Sequence, residues 1–356
     1  MKPSVSLIPL STIYSAVTRM RLAAYQRGWF SVARLPVPVV SVGNLTTGGT
    51  GKTPLVEWVC RAIANSGSAS GVWEGKRICV LTRGYGRESP KTQVVVSNGI
   101  DLLAGERDAG DEPFLLARNL LGIAAVIANP NRVAAGQWAL EELNTEVFVL
   151  DDGFQHLRLA RDLDIVTIDA TNPWGGGSLL PYGRLREPRS GLSRADCIVL
   201  TRAAQVEDSA SIKKAVERLA GAVPIFSAHM ETSRIRRLEG EDVDQETLQA
   251  EQLGAFCGVG NPQSFFSHLR HEGIALAFTH AFSDHHNYKQ LELEALVKEA
   301  RARGAIGLIT TAKDATRLSS LKLELPCYVL EIQIRIGEED RLIEIIRKTA
   351  YQDRER

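Results

Sequence analysis

A strand, a glycine-rich turn and a helix follow one another near residue 40, and this stretch restricts the possible folds most. A β-branched run, Val39–Val42, leads into a turn that ends in Gly51-Lys52-Thr53, and apolar residues then recur at helical spacing from Leu55 to Ile63. Such a turn aims unpaired N–H groups and the positive end of the helix dipole at an anion. Lys52 would reach the outer phosphates of a nucleotide and Thr53 would hold Mg²⁺. We therefore predict a nucleoside triphosphate site, the alternative being a turn with a purely structural role.

One position departs from the usual phosphate-loop pattern. That pattern begins with glycine, where this chain has Thr46. The later run Gly48-Gly49-Thr50-Gly51 supplies backbone freedom of its own. We predict that the phosphates contact the eight residues Thr46, Thr47, Gly48, Gly49, Thr50, Gly51, Lys52 and Thr53.

Composition sets broad limits on the class of protein. The chain has 356 residues, of which 44% are hydrophobic and 24% charged, as expected of a globular protein with two domains. Lys and Arg together number 42, as do Asp and Glu, so charge gives no reason to expect nucleic acid as a partner. The five cysteines lack metal-ligand or redox spacing, which favours reduced core thiols in a cytoplasmic protein.

The N-terminal segment, residues 1–33, is apolar and aromatic and carries Arg19, Arg21 and Arg27. Acidic residues are absent before Glu57. An acid-free amphipathic segment of this kind suits an anionic membrane surface, but a helix packed on the domain would have the same pattern. No stretch reaches the apolar length of a membrane span.

Strands and helices alternate along the rest of the chain, which predicts an α/β fold with a mostly parallel sheet. We assign residues 34–222 to a P-loop NTPase-type domain. A second alternation begins near residue 255, and we assign residues 223–356, with linker strands, to a smaller α/β domain that lacks a glycine-rich loop. The elements predicted across the two domains include an exposed turn at 66–75, strands at 163–169 and 225–230, a charged connector after residue 230, and helices at 209–220 and 342–351.

Two pairs of arginines lie in predicted loops of the first domain. Arg83 and Arg87 flank Gly84 and Gly86 directly after the strand Ile78–Thr82. Ligands bind beyond the carboxyl ends of strands in open parallel sheets, so we favour anion binding here over a solvated basic loop. A long irregular stretch, residues 170–189, contributes Arg184 and Arg186 together with apolar side chains, and such stretches are more often functional than idle.

Two aspartates, Asp151 and Asp152, close the apolar strand Val147–Leu150. P-loop enzymes place a Mg²⁺-associated carboxylate at this point. The alternative is a pair of turn-forming aspartates, which would not explain why they end so apolar a strand. We predict that Thr53, Asp151 and Asp152 form the Mg²⁺ site.

Two further polar motifs remain ambiguous when the residues alone are considered. Asp111 precedes a helix, and its position favours an N-cap over catalysis. Asp284-His285-His286 lies in a loop of the second domain, where it would bind a metal, cap a helix or handle protons. Further zinc ligands are not found nearby in the sequence, so proton handling or substrate contact is favoured over zinc.

Six motifs together resemble the tetraacyldisaccharide 4′-kinase family, the lipid A 4′-kinases of Gram-negative bacteria. They are Gly-Asn-Leu-Thr-Thr-Gly-Gly-Thr-Gly-Lys-Thr-Pro from Gly43, Thr-Arg-Gly-Tyr-Gly-Arg from Thr82, Gly-Asp-Glu-Pro from Gly110, Asp-Asp-Gly-Phe-Gln-His from Asp151, Leu-Leu-Pro-Tyr-Gly-Arg-Leu-Arg-Glu-Pro from Leu179 and Phe-Ser-Asp-His-His-Asn-Tyr from Phe282. The resemblance extends from Ser41 to about Asp314, and the family's loop has the same form at Thr46.

The resemblance implies phosphorylation by ATP of the 4′-hydroxyl of a tetraacylated glucosamine disaccharide 1-phosphate at the cytoplasmic face of the inner membrane. The cofactors would be ATP and Mg²⁺, the partners a lipid disaccharide and the membrane surface, and no obligate protein partner is expected.

The resemblance also implies roles for single residues. Asp111 would be the base for the sugar hydroxyl, so the family likeness reverses the preference for a helix cap. His285 would assist it, although the sequence does not separate His285 from His286, and Lys52 would complete the catalytic set. The residues expected to contact the lipid acceptor are Arg83, Arg87, Gln155, His156, Arg184, Arg186 and His286.

An alternative from another class is a P-loop switch ATPase or GTPase of the metal-insertion or partitioning type. Such proteins use hydrolysis to drive partner binding and need no acceptor site. The Asp-His-His loop and the arginine-rich stretch before Pro188 argue against it.

Overall fold

A computed structural model describes residues 7–65, 76–85, 87, 92–318 and 321–352. The turn predicted over residues 66–75, Gly86 and the first six residues of the N-terminal segment lie outside this range. The described strands are β1 Val39–Asn44, β2 Ile78–Thr82, β3 Val94–Ser97, β4 Ala124–Ala128, β5 Val147–Asp151, β6 Leu163–Asp169, β7 Cys197–Thr201, β8 Ile225–Arg237, β9 Asp242–Val243, β10 Gln252–Cys257, β11 Ala275–Ala281, β12 Gly307–Thr311 and β13 Cys327–Ile336.

Most of the intervening segments are helical, as the alternating pattern predicted. The described α-helices are α1 Ile8–Gln26, α2 Lys52–Ala64, α3 Glu106–Ala109, α4 Asp111–Asn119, α5 Arg132–Glu142, α6 Ser209–Ala220, α7 Gln245–Gln249, α8 Pro262–His271, α9 Gln290–Ala302, α10 Ala312–Thr316 and α11 Glu339–Ala350. Short 3₁₀ turns occupy Arg189–Arg194 and Ala203–Gln205.

The chain divides into two compact units, and the second is an insertion into the first. Unit 1 comprises residues 1–230 and 334–356, and unit 2 comprises residues 231–333. The boundaries fall inside β8 and inside β13. The predicted second domain, residues 223–356, therefore differs from unit 2 at both ends. The larger difference is at the C-terminal end, where Leu342, Ile346 and Ala350 of α11 enter the same core as Leu55 and Val59 of α2.

Unit 1 is built on a mostly parallel sheet. Its strand order is β8-β7-β6-β1-β5-β2-β4-β3, and β3 alone of these pairs antiparallel to its neighbour. Strand β1 lies centrally and is buried along its whole length. Its run of β-branched residues suits a strand that is covered on both faces. The predicted α/β fold with a mostly parallel sheet is confirmed.

Unit 2 contains a parallel arrangement of its own, in the order β11-β10-β12-β13. Apolar clusters lie on both faces of these strands, one around Phe266 and Leu269 of α8 and one around Leu293 and Leu296 of α9. The loop that follows β11 carries the Asp-His-His motif, and the helix α10, directly after β12, carries Lys313.

The five cysteines are all buried and free. This agrees with the prediction that they are core thiols. Among the described helices, none is long and apolar enough to cross a membrane.

Candidate active site

The predicted phosphate loop connects the end of β1 to the start of α2, as the sequence indicated. The buried side chain of Asn44 organises it: Nδ2 donates to the Thr46 carbonyl oxygen at 2.7 Å and to Thr50 Oγ1 at 2.8 Å. Gly48 has φ +121° and Gly51 has φ +82°, values that glycine adopts without strain. The side-chain amide of Asn44 and the two glycines thus fix the conformation of the loop.

Thr46 does not need the conformational freedom of glycine. It forms an isolated antiparallel bridge with Leu185 and is not among the described residues with positive φ. The bridge is extended by hydrogen bonds from Thr47 N to the Arg184 carbonyl oxygen and from Arg186 N to the Leu45 carbonyl oxygen, both 2.8 Å long. The loop is therefore supported by a short strand-like partner, which explains a threonine where the usual pattern has glycine.

The side chains of this partner segment differ in their surroundings. Arg184 is exposed, and its Nη1 would lie 3.8 Å from a methyl group placed on Gly48. Arg186 instead turns toward the paired aspartates, and its Nη1 lies 2.7 Å and 2.6 Å from the two carboxylate oxygens of Asp152. Arg184 thus offers a solvent-facing cation beside the loop, whereas Arg186 is engaged within the site.

Strand pairing places the aspartates beside the phosphate loop. Val42 of β1 pairs with Asp151 of β5, so the carboxyl ends of the two strands are adjacent. Asp151 is buried and accepts a hydrogen bond from Thr82 Oγ1 at 2.8 Å. Asp152 has φ +54°, and its Oδ1 lies 3.6 Å from Lys52 Nζ. The structure therefore brings Lys52, Asp151 and Asp152 together, as predicted.

The two carboxyl groups have opposite pKa shifts. Burial raises the pKa of Asp151 to about 6, and the neighbouring Asp152 and Glu112 act in the same direction. Burial also acts to raise the pKa of Asp152, but Lys52 and Arg186 outweigh it and lower that pKa to about 2. A pair with one proton-accepting carboxyl and one permanently ionised carboxylate is typical of functional sites.

Arg132 belongs to this cluster and was missed in the sequence. It is the first residue of α5, it is buried, and its Nη2 donates to the Asp151 carbonyl oxygen at 3.4 Å. Burial lowers the pKa of this guanidinium, while Asp151 and Asp152 act to raise it. The sequence signal that could have identified Arg132 is Asn129-Pro130-Asn131, a turn between the strand β4 and a helix. Like the other functional loops, it follows the carboxyl end of a strand.

Asp111 occupies the first turn of α4 but is not its cap. The N-cap position belongs to Gly110, with φ +88°, and Asp111 is the first helical residue, so the predicted cap role is wrong. The side chain of Asp111 is buried. A methyl group on Gly110 would lie 2.5 Å from the Tyr85 carbonyl oxygen, so the loop after β2 packs directly against this helix start.

The two arginines of that loop have different surroundings. Arg83 is exposed, whereas Arg87 is buried and its Nη1 donates to the Ala128 carbonyl oxygen at 2.7 Å. Burial lowers the pKa of Arg87. Arg83 therefore has the accessibility that contact with a substrate requires, and Arg87 supports the main chain at the end of β4.

Gln155 and His156 follow the paired aspartates, and Gln155 contacts the start of the phosphate loop. Gln155 Nε2 donates at 2.8 Å both to the Asn44 carbonyl oxygen and to Glu187 Oε1. Burial lowers the pKa of His156 to about 4, with a further contribution from nearby arginines, of which Arg132 is the strongest. Its buried Nε2 has no hydrogen-bond partner among the residues that the structure describes. His156 is thus a neutral imidazole at physiological pH.

The helix α1 is attached to unit 1 by polar contacts and presents an apolar face to solvent. Ser11 Oγ donates to the Leu179 carbonyl oxygen at 2.8 Å, and Tyr14 Oη donates to that of Arg186 at 2.9 Å. The exposed apolar residues on and directly after α1 are Ile8, Leu10, Ile13, Val17, Met20, Trp29, Phe30 and Val32. The helix is therefore anchored to the segment that supports the phosphate loop.

The two histidines of the Asp-His-His loop in unit 2 make different contacts. His286 is held by Glu292, whose Oε2 lies 3.0 Å from Nε2, and its ring stacks on Phe282. His285 has φ +59°, and its ring nitrogens face two cations: Nδ1 lies 3.0 Å from Arg317 Nη2, and Nε2 lies 3.3 Å from Lys313 Nζ. Each histidine is thus fixed by charged neighbours, and those of His285 are distant in the sequence.

The donor chemistry of unit 1 fits a magnesium ion. Thr53 in the first turn of α2 and the two aspartates supply hydroxyl and carboxylate oxygens, the ligands that Mg²⁺ prefers. Both oxygens of Asp152 already accept from Arg186. This leaves Asp151 as the better placed carboxylate for the ion.

A central parallel strand, a phosphate loop closed by Lys52 and Thr53, and acidic residues at the end of a nearby strand define a nucleotide-binding protein of the P-loop class. Comparison with known proteins is more specific. The sequence model of the family described as tetraacyldisaccharide-1-P 4′-kinase matches residues 3–351. The chain belongs to this family.

Individual relatives agree with this assignment. A protein named tetraacyldisaccharide 4′-kinase from Geobacter metallireducens is 43% identical over 313 residues, which are 88% of each chain. Another with that name, from Desulfotalea psychrophila, is 36% identical over 338 residues, 94% of each chain. The crystal structure of LpxK from Aquifex aeolicus in complex with ATP has a TM-score of 0.76 at 33% identity, covering 97% of this chain and 99% of that one. Membership in this family favours the kinase over the switch ATPase.

Proposed function

We propose that this protein transfers the γ-phosphate of ATP to the 4′-hydroxyl of a tetraacylated glucosamine disaccharide 1-phosphate, a step in lipid A biosynthesis. The observation that carries the proposal is the contact of 3.6 Å between Lys52 Nζ and Asp152 Oδ1 at the end of the phosphate loop. It occurs in a chain that matches the kinase family over residues 3–351. The contact holds a lysine and an acidic pair where phosphoryl transfer needs them.

The residues of unit 1 account for binding and charge neutralisation of the nucleotide. The residues from Thr46 to Thr53 would surround the phosphates, with the N-terminus of α2 contributing its dipole. Lys52 would move from Asp152 to the outer phosphates, and Asp152 would keep the lysine oriented before ATP arrives. Arg186 balances the charge that Asp152 keeps when Lys52 leaves. Preorganised charge of this kind is the main source of catalysis in phosphoryl transfer.

Magnesium completes this site in our proposal. Thr53 and Asp151 would hold the ion, which would neutralise phosphate charge when bound. The pKa of about 6 at Asp151 means that this carboxyl group is ionised at neutral pH, as a ligand must be.

We assign deprotonation of the acceptor hydroxyl to Asp111 and a supporting role to His285. Asp111 is buried at the start of α4, beside the loop that carries Arg83. Partial removal from water favours proton transfer by a carboxylate. Of the two histidines in the Asp-His-His loop, His286 is bonded to Glu292, which supports His285 as the one that acts.

The exposed arginines would bind the acceptor. Arg83 and Arg184 are solvent-facing, and guanidinium groups suit the 1-phosphate and sugar oxygens. Arg87 and Arg186 would support the site through the contacts already described. Gln155 and His156 would act through the phosphate loop and its surroundings, and His286 would support the loop that carries His285.

The exposed apolar face of α1 supports attachment to the cytoplasmic face of the inner membrane. Ile13 and Met20 are 61% and 65% exposed, and arginines follow on the same helix. Such a surface gains free energy by entering the headgroup region of an anionic bilayer. A lipid acceptor would then reach the protein without leaving the membrane.

A phosphorylation assay tests the proposal. Purified protein is given ATP, Mg²⁺ and a tetraacylated disaccharide 1-phosphate, and the bisphosphorylated product is measured by mass spectrometry. We expect product from the wild type and a loss of at least about 100-fold in kcat for Asp111→Asn, because a general base contributes about this much. ATP hydrolysis without a phosphorylated acceptor would refute the kinase and favour the switch ATPase. Full activity of Asp111→Asn would remove Asp111 from its role.

A further inference from the structure

Arg317 makes two contacts with the Asp-His-His loop. Its Nη2 lies 3.0 Å from Nδ1 of His285, and its Nη1 donates to the His286 carbonyl oxygen at 3.2 Å. One guanidinium therefore holds both the ring of His285 and the main chain that follows it.

Hydrogen-bond chemistry decides the direction of the ring contact. A guanidinium group has only donors and is not deprotonated in proteins, so His285 Nδ1 must be the acceptor. A neutral imidazole has one acceptor nitrogen and one N–H. With the lone pair of Nδ1 taken by Arg317, the ring proton resides on Nε2.

A second cation faces the other ring nitrogen. Lys313 Nζ lies 3.3 Å from Nε2, near the upper limit for a hydrogen bond, and as a donor it competes with Arg317 for the single acceptor nitrogen of a neutral ring. Asp284 Oδ1 lies 3.6 Å from Lys313 Nζ and 3.9 Å from His285 Nε2. The Arg317 contact, at 3.0 Å, is the shorter of the two cation contacts and determines the tautomer.

The backbone of His285 is constrained as well. Its φ of +59° is uncommon for a residue with a side chain, and its N–H donates to the Gly258 carbonyl oxygen at 3.1 Å. Such conformations persist where the surroundings fix them, and they cluster at functional sites. The hydrogen bond from Arg317 to the carbonyl of His286 fixes the other side of this turn.

We propose that Arg317 is a positioning residue that sets the tautomer of His285, keeping its proton on Nε2 so that His285 acts as a hydrogen-bond donor and not as a general base. The inference rests on the proposed participation of His285 in phosphoryl transfer. It deepens that proposal by naming the atom, Nε2–H, through which His285 would support an oxygen of the reacting groups. It also leaves Asp111 as the proton acceptor.

The tautomer is measured by NMR on the full-length protein with ¹⁵N-labelled histidine, at about pH 8, above the ordinary histidine range. The His285 signals are assigned by their loss in His285→Gln. We expect the wild type to show an unprotonated Nδ1 and a protonated Nε2. Arg317→Met should shift the population toward Nδ1–H, and Arg317→Lys should retain Nε2–H, since an ammonium group also donates.

Kinetics provide the second readout. Removing the residue that orients a functional histidine typically costs about 10- to 100-fold, and we expect Arg317→Met to lower kcat by this amount with little change in the KM for ATP. In the His285→Gln background, Arg317→Met should cause almost no further loss in kcat. Arg303→Met is the matched control, because Arg303 is a half-exposed arginine of unit 2 paired with Glu299 at 2.9 Å. It should leave both readouts unchanged.

The outcomes separate this inference from the proposed function. A wild-type ring with its proton on Nδ1, or a tautomer unaffected by Arg317→Met, would overturn the role of Arg317. A changed tautomer with an unchanged kcat would support the structural assignment but remove His285 from the reaction. Thermal unfolding of each variant shows whether lost activity reflects lost structure.

Discussion

Lys52 faces a carboxylate within the site, and this contact sets its expected role. Its Nζ lies 3.6 Å from Asp152 Oδ1, and its side chain is 15% exposed. Lys52→Met should therefore lower kcat by about 100- to 1000-fold, the range typical for loss of one preorganised charge contact in a transition state. Steady-state phosphorylation of the disaccharide measures this.

Lys76→Met is the matched control for Lys52→Met. Lys76 is a more exposed lysine of the same unit, 4.0 Å from Glu146. Lys76→Met should leave kcat within about twofold of the wild-type value, since exposed ion pairs contribute little to stability. Equal losses in the two variants would show that Lys52 has no special part in the reaction.

The raised pKa of Asp151 predicts a pH dependence of stability. Since burial raises this pKa to about 6 from 3.8, the folded protein binds more protons at Asp151 than the unfolded chain between these values. The contribution of Asp151 to stability therefore falls as pH rises from about 4 to 6 and stays unfavourable above that range.

Asp151→Asn tests this effect, because asparagine keeps an acceptor for Thr82 and removes the charge. The variant should raise the unfolding midpoint at pH 7.5 relative to wild type, and the gain should shrink toward pH 4.5. It should also lower activity, as expected for a Mg²⁺ ligand. A lower midpoint than wild type at pH 7.5 would contradict the assigned pKa shift. Midpoints are read by differential scanning calorimetry.

Single residues also show where the sequence was informative and where it was not. The pairing of Lys52 with the acidic residues was predictable, because adjacent parallel strands end at the same edge. The difference between His285 and His286 was not, since it depends on Arg317, Lys313 and Glu292, whose contacts form only in the fold. Thr46 looked anomalous because its bridge to Leu185 joins segments far apart in sequence.

At the scale of elements, α1 gives a prediction about membrane binding. Replacing Ile13 and Met20 together by serine should weaken binding to phosphatidylglycerol vesicles by about 100-fold or more, since each loses about 1.5–3 kcal/mol of apolar burial in the bilayer. Stability in solution should hardly change, because both side chains are already exposed. Vesicle sedimentation measures the binding.

Ile100→Ser serves as the control for the α1 variant. Ile100 is 70% exposed and belongs to a turn of unit 1 away from α1 in the sequence. Its replacement should leave vesicle binding unchanged. Equal binding by the Ile13/Met20 double variant and the wild type would refute the assignment of α1 to the membrane surface.

Elements with a clear apolar pattern were predicted best. The strands Ile78–Thr82 and Leu163–Asp169 and the helix over 209–220 have the predicted bounds, because their apolar patterns end at polar or glycine residues. Strand β8 was predicted over residues 225–230 but continues to Arg237. Its second half is charged and half-exposed, so it looked like a connector, and only pairing with neighbouring strands makes it β-structure.

At the scale of the whole molecule, unit 2 is an insertion that begins inside β8 and ends inside β13, and unit 1 continues after it. Apolar residues at every third or fourth position predicted α11 as a helix but did not indicate which unit it packs on. The contacts show it: Tyr351 Oη donates to the Ile63 carbonyl oxygen at 3.1 Å, and Trp58 Nε1 donates to Glu339 Oε1 at 3.3 Å. The helix α11 therefore packs on unit 1.

This arrangement predicts opposite effects of two deletions. Joining Met230 to Ile334 through a short glycine-serine linker, without residues 231–333, should leave unit 1 folded and able to bind ATP, because the linker replaces a complete compact unit. Phosphoryl transfer should be lost together with His285. ATP binding by calorimetry and circular dichroism provide the measurements.

The second deletion ends the chain at Gln333. It removes Leu342 and Ile346 from the core of unit 1, where each is fully buried. Loss of such a side chain costs about 2–5 kcal/mol, so ATP binding should be abolished along with the cooperative unfolding of unit 1. ATP binding that survives in this truncated protein would show that α11 is dispensable.

The packing of α11 on α2 also has a consequence for synthesis on the ribosome. The phosphate loop precedes α2 near the start of the chain, but α2 receives Leu342 and Ile346 only after more than 250 further residues have been made. Unit 2, whose residues are consecutive, can fold before unit 1 is complete. A nascent or prematurely terminated chain therefore lacks a finished nucleotide site.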